Sequence, residues 1–69
     1  MVDNERRELI RKLFAIITAK LEDAAGVAAD GQRANLDHEQ LLQLSSQICS
    51  ASEEVTILAE AISACVAGD

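Results

Sequence analysis

The stretch NLDHEQLLQL, residues 35–44, has the pattern of a helix N-terminus. Asp37 can accept a hydrogen bond from a free backbone amide of the first turn, and Gln40 can reach back to close a capping box. Leu36 before the cap and Leu41 in the next turn form the apolar pair of a hydrophobic staple. The acidic first turn also suits the positive end of the helix dipole. These signals predict that a helix begins at about residue 38.

Downstream of this start, apolar residues recur at alternating steps of three and four, the spacing of a heptad seam along one helix face. The predicted seam of this helix comprises Leu41, Leu44, Ile48, Ala51, Val55, Leu58, Ile62 and Cys65. Because the spacing continues across the serine-rich residues 45–52, we expect one helix over about residues 38–66. The serines leave open whether it kinks there.

Upstream, a similar pattern predicts a first helix over about residues 4–28, with Asp3 as its N-cap. Its predicted seam comprises Ile10, Phe14, Ile17, Leu21, Ala24 and Ala28. A second apolar stripe widens this face beyond what one partner helix covers, and it consists of Leu9, Leu13 and Ile16. The sequence allows two positions for the C-terminus of this helix. It can end at Gly26 as a left-handed cap or continue to near Asp30.

The chain has 69 residues, no proline and three glycines, so it offers one domain with few places to reverse direction. We therefore predict an all-α fold, an antiparallel helical hairpin whose loop covers about residues 29–36. Chains this short seldom gain enough stability from one core, so two hairpins are expected to form a four-helix bundle as a homodimer. In such a dimer, the first helix of one copy could pair either with the first helix or with the second helix of the other copy.

The net charge is −6, and residues 37–69 contain no Lys or Arg. This acidic half disfavours phosphate and anionic lipid, keeps the chain soluble and suits a basic partner. No apolar run approaches the roughly 20 residues of a membrane span, and no secretory signal is expected. Two cysteines are too few for a disulfide framework, so we expect reduced thiols in a cytoplasmic protein.

Candidate catalytic groups are weak. His38 stands between Asp37 and Glu39, but consecutive helical residues point about 100° apart and do not converge on one ion. Neither cysteine has a cationic neighbour that would activate its thiol as a nucleophile, and there is no glycine-rich phosphate loop. We expect no enzyme activity, no cofactor and no metal site.

The function expected first is protein–protein interaction, as a small regulatory or adaptor protein whose further partner is basic or helical. The alternative is RNA binding by basic residues near the start of the first helix, Arg6, Arg7, Arg11 and Lys12. Glu5 and Glu8 interleave with them, so pairs within the helix explain these charges more simply, and nucleic acid is not the expected partner. A third hypothesis is a partner-stabilised subunit of the antitoxin kind.

In length, acidity and hairpin plan the chain resembles the Rop family of plasmid regulators. Members of that family form antiparallel four-helix dimers and bind paired RNA loops with their first helices. The resemblance covers architecture and length only, and no functional residue is carried over from it. It implies RNA binding as the alternative function.

Overall fold

A computed structural model describes residues 3–68, which form two helices packed against each other as a hairpin. Helix α1 spans Asn4–Asp30 and helix α2 spans His38–Ala67, with residues 31–37 as the loop between them. The predicted all-α helical hairpin is therefore confirmed.

Both helices begin at the aspartates that the sequence indicates. Asp3 accepts a hydrogen bond from the backbone N–H of Arg6 at 2.7 Å. The Asp37 carboxylate accepts from the Gln40 N–H at 2.8 Å, and the Gln40 side-chain oxygen accepts from the Asp37 N–H at 2.9 Å. This reciprocal pair is the predicted capping box, and it satisfies two amides that a helix start leaves unpaired.

Helix α1 passes through Gly26 and ends at Asp30, which is the second of the two ends that the sequence left open and lies two residues beyond position 28. Its C-cap, Gly31, has a right-handed conformation with φ −66°, and its N–H bonds to the Val27 carbonyl at 3.0 Å. The left-handed residue lies further along the loop, at Asn35 with φ 69°. Asparagine adopts this conformation more readily than most residues do, so the chain can turn into the α2 cap without a glycine there.

The two helices meet along one stripe on each, which we call the hairpin seam. On α1 the less exposed residues are Arg6, Ile10, Leu13, Ile17, Lys20, Ala24, Val27 and, at its cap, Gly31. On α2 they are Leu44, Ile48, Ala51, Val55, Leu58, Ile62 and Cys65, in one unbroken helix through residues 45–52. Among residues 3–68 only Ile62 is buried, with 7% of its surface exposed.

The predicted seam of α1 was wrong at alternate positions. Phe14, Leu21 and Ala28 are exposed, and the residues that precede them, Leu13, Lys20 and Val27, lie in the seam instead. Either set has heptad spacing when it is combined with Ile10, Ile17 and Ala24, so periodicity does not distinguish the two sets. The sequence-based prediction chose the set that contains only apolar residues. In the set that the structure uses, the Lys20 carbon chain lies at the seam and its ammonium reaches Glu54 of α2, 2.5 Å away.

Leu41, the first predicted seam residue of α2, is also exposed. It lies beside the loop, in a groove that it shares with Gly31 and Gln32, where α1 has already ended. Without a facing helix at this height, the side chain has too few neighbours to be buried.

The hairpin is long and only one layer thick. It measures 53 × 15 × 11 Å, with a radius of gyration of 16.0 Å. A compact chain of this length would have a radius of gyration of about 11 Å. The exposed area is 5240 Å², whereas a folded monomer of this mass exposes roughly 4,200 Å². About 1,000 Å² of surface is therefore open beyond the usual amount.

The seam predicts unequal effects for two isoleucines of the same helix. We expect Ile62→Ala to lower the free energy of unfolding by about 2 kcal/mol or more, because it removes buried atoms and leaves a gap. Ile57→Ala is the matched control and should change it by less than about 0.5 kcal/mol, since that side chain is 65% exposed. Urea unfolding followed by circular dichroism measures both. Equal losses would contradict the seam.

Lys20 should weaken the seam that it occupies. Its ion pair with Glu54 joins side chains that are 33% and 54% exposed, and such pairs contribute at most about 1 kcal/mol. We expect Lys20→Leu to raise the melting temperature, because apolar surface replaces a charged group between Ile17 and Ala24. Lys20→Gln, which removes the charge without adding apolar surface, should not raise it. A lower melting temperature for Lys20→Leu would contradict this placement.

Candidate interaction face

Beside the seam, each helix carries a second stripe of uncharged residues at heptad spacing. On α1 it consists of the residues that the sequence assigned to the seam, Phe14, Leu21 and Ala28. On α2 the stripe consists of the residues that come directly after Leu44, Ala51, Leu58 and Cys65 of the seam. They are Ser45, Ser52, Ala59 and Val66. The α1 stripe has large side chains and the α2 stripe has mostly small ones.

The two stripes lie on the same broad side of the hairpin. Near the loop, Ala28 of α1 and Ser45 and Cys49 of α2 line a single groove. Towards the other end, Phe14 lines a groove on α1 together with Ile10 and two arginines. We call this side the open face. Its α1 members are Arg7, Arg11, Phe14, Thr18, Leu21, Ala25 and Ala28, and its α2 members are Leu42, Ser45, Cys49, Ser52, Thr56, Ala59, Ser63 and Val66.

The open face contains no carboxylate, although the chain has twelve acidic residues and a net charge of −6. Within residues 3–68 the acidic residues occupy the caps and the other sides of the helices. The helical ones are Glu5, Glu8, Glu22, Asp23, Asp30, Glu39, Glu53, Glu54 and Glu60. A second surface can therefore cover the open face without removing a carboxylate from water, which would be costly.

Large apolar side chains on this face are exposed to solvent in the single chain. Phe14, the one aromatic residue of the sequence, is 54% exposed, and Leu21, two turns away, is 53% exposed. Leu42 and Val66 on α2 are exposed as well. Scattered exposed leucines need no explanation, but a charge-poor face that runs along both helices is typical of an interaction surface.

The structure divides the second apolar stripe that the sequence predicts for α1. Leu13 lies in the hairpin seam. Leu9 and Ile16 are exposed on the opposite broad side. Asp23, seven residues after Ile16, lies on that side as well and continues the same stripe. These three residues therefore do not form one surface, and the opposite side is a poorer candidate because a carboxylate interrupts it.

The four basic residues near the start of α1 do not form one patch either. Arg6 is half-buried at the end of the seam, Arg7 and Arg11 belong to the open face, and Lys12 lies on the outer side of α1. Only the two on the open face share a groove with Phe14.

Sequence reasoning missed the continuity of the α2 part of the open face. Its signal was present: from Leu42 to Val66 one stripe advances by alternating steps of three and four and contains no charge. Serine and threonine fill half of these positions, so hydrophobicity alone did not reveal the pattern. The absence of charge along a heptad stripe would have revealed it.

The described part of the chain also shows the state of the cysteines, the spacing of possible metal ligands and the apolar character of the helices. Both thiols are unbridged, with Cys49 exposed and Cys65 half-buried. Between residues 3 and 68, no three His, Cys, Asp or Glu side chains cluster in a way that could hold a metal ion. Neither described helix combines the length and apolar character needed to cross a bilayer.

Comparison with protein-family models, with curated proteins and with solved structures found no match to this chain.

Proposed function

We propose that this protein is a non-enzymatic interaction module, a cytoplasmic regulatory or adaptor protein that acts as a self-associating helical hairpin. The observation that supports this most is the open face, which is extensive, free of carboxylates and uncovered in the single chain. A surface of this kind is suited to binding another helical surface.

The excess exposed area of the single chain is close to the area that one binding partner would cover. The chain exposes 5240 Å², about 1,000 Å² more than a compact monomer of its mass. A standard protein–protein interface removes about 800 Å² from each partner. Covering the open face once would therefore bring the exposed area close to that of an ordinary folded protein.

The charge distribution favours a second copy of this chain as the occupant of the open face. A basic partner would be attracted to the acidic sides of α2, which lie elsewhere. Two copies can bring their open faces together without opposing carboxylates, and a two-fold axis then closes the assembly at a four-helix bundle. In this dimer the acidic sides stay outside, available to a further basic or helical protein.

A charge at the centre of the open face should separate the copies. We expect a solution mass of about twice 7.4 kDa for the parent and the single-chain mass for Leu21→Glu, because a buried glutamate would lose its hydration unpaired. Ala19→Glu, on the outer side of α1, is the matched control and should remain dimeric. Light scattering on a sizing column measures all three masses.

Two results would contradict self-association through this face. One is a parent that is a single chain while circular dichroism shows it fully helical. The other is a Leu21→Glu variant that keeps the dimer mass.

The groove that contains Phe14 supports RNA binding as a second candidate function. Arg7 and Arg11 lie there beside the aromatic ring, and guanidinium groups with an aromatic ring are typical of sites for unpaired bases.

If this candidate is right, affinity for a stem-loop RNA should fall steeply with added salt and with Arg11→Gln. Arg33→Gln, a change in the loop far from the groove, should have a smaller effect. Fluorescence anisotropy with a labelled stem-loop measures both. Absence of binding at low salt, or equal losses for the two variants, would contradict it.

A further inference from the structure

We infer that the second copy packs with its loop at the same end of the bundle, so that each α1 lies over α2 of the other copy. This inference rests on the proposed self-association and adds its topology. It follows from three features of the open face: the heights of its residues along the hairpin, their sizes and the charges of the two helices.

Contacts between the helices fix which residues stand at the same height. Lys20 pairs with Glu54 near the middle of the hairpin. Near the loop, Ala28 and Ser45 line one groove, and Asp30 and Gln43 line another. Counting along both helices from these contacts places Leu21 level with Ser52, and Phe14 level with Ala59.

Two different two-fold axes can bring open face against open face. A two-fold axis parallel to the helices keeps every residue at its own height along the bundle. It places α1 of each copy over α2 of the other copy. Phe14 then lies over Ala59 of the second copy, and Leu21 over its Ser52. An axis across the helices puts α1 over α1 and α2 over α2, so that the loops point to opposite ends.

Side-chain size favours the parallel axis. It sets a large residue against a small one at the two central heights, Phe14 on Ala59 and Leu21 on Ser52, for both halves of the dimer. Large residues facing small ones allow layers to interdigitate at the even spacing of about 8–10 Å found between packed helices. The crosswise axis sets Phe14 and Leu21 against each other and leaves the small residues facing small ones. The hairpins would then be wide apart on one side and close on the other.

Charge favours the same arrangement. Helix α1 carries five basic and five acidic side chains, whereas α2 carries four acidic and no basic ones. The parallel axis places the neutral helix over the acidic helix twice, but the crosswise axis places the two acidic helices together. In addition, the last turn of α2 has no basic residue. Arg7 and Arg11 of the second copy come to that end, where positive charge stabilises a helix dipole.

Disulfide cross-linking between two differently sized chains tests the topology. Both chains carry Cys49→Ser and Cys65→Ala, and one has an added polar tag. Leu21→Cys is introduced in one chain and Ser52→Cys in the other, and the mixture is unfolded, refolded together and oxidised with a glutathione buffer. Since each chain has a single cysteine, every disulfide between protein cysteines joins two chains, and mixed disulfides with glutathione keep the single-chain size on a gel. We expect the mixed Leu21→Cys and Ser52→Cys dimer as the major product, and little product when Ala19→Cys replaces Leu21→Cys.

The competing topology has its own cysteine pair. Leu21→Cys mixed with Phe14→Cys should cross-link efficiently only if α1 lies over α1. That result, or a dimer in which the Leu21→Cys and Ser52→Cys chains do not cross-link, overturns the inferred topology and leaves self-association standing. A single-chain mass for the cysteine-replaced background and for the parent overturns both.

Discussion

Two helices packed as a hairpin give each other only one neighbour, so each can bury only one stripe of its surface. In this protein the constraint is severe, because one residue among 3–68 is buried and the helices extend over 53 Å. The apolar side chains beyond the seam are left in water. A large open face is therefore a direct consequence of how little one helix can cover on another.

The rotation of α1 about its own axis sets which face stays open. Lys20 lies in the seam and pairs with Glu54, while Phe14 and Leu21 beside the seam remain more than half exposed. A rotation that buried those two residues would leave the open face with little apolar surface on α1. A charged residue at a seam position costs stability, and its exposed ion pair returns at most about 1 kcal/mol. The rotation that places it there leaves the largest side chains available for another surface.

The acidic residues support the same division of surfaces. They provide the net charge of −6, yet none of those within residues 3–68 lies on the open face. The helices consequently have one side that water solvates well and another that water solvates poorly. Such segregation lets a small chain stay dispersed through repulsion between its acidic sides while one face remains suited to contact.

Much of the fold follows from the sequence because its signals are local. The start of α2 depends on Asp37 and Gln40, three residues apart, and its capping box formed as predicted. The heptad spacing of α2 is also a property of one helix, and seven of its eight predicted seam positions are the less exposed ones. Charges interrupt its other sides, so α2 had one continuous apolar stripe to offer. The uncharged stripe beside it was overlooked since serines and threonines are not hydrophobic.

Only the tertiary structure decided which stripe of α1 meets α2. The apolar arc of α1 includes both Leu13 and Phe14, and the shared members Ile10 and Ile17 fit either choice. Periodicity within α1 cannot separate them, because the two stripes have the same spacing. The choice is made where α1 meets α2, in contacts such as the one between Lys20 and Glu54, 34 residues apart in the chain. Thus the sequence determined two helices and their ends through interactions within a few residues, and packing determined the open face through a contact between the helices.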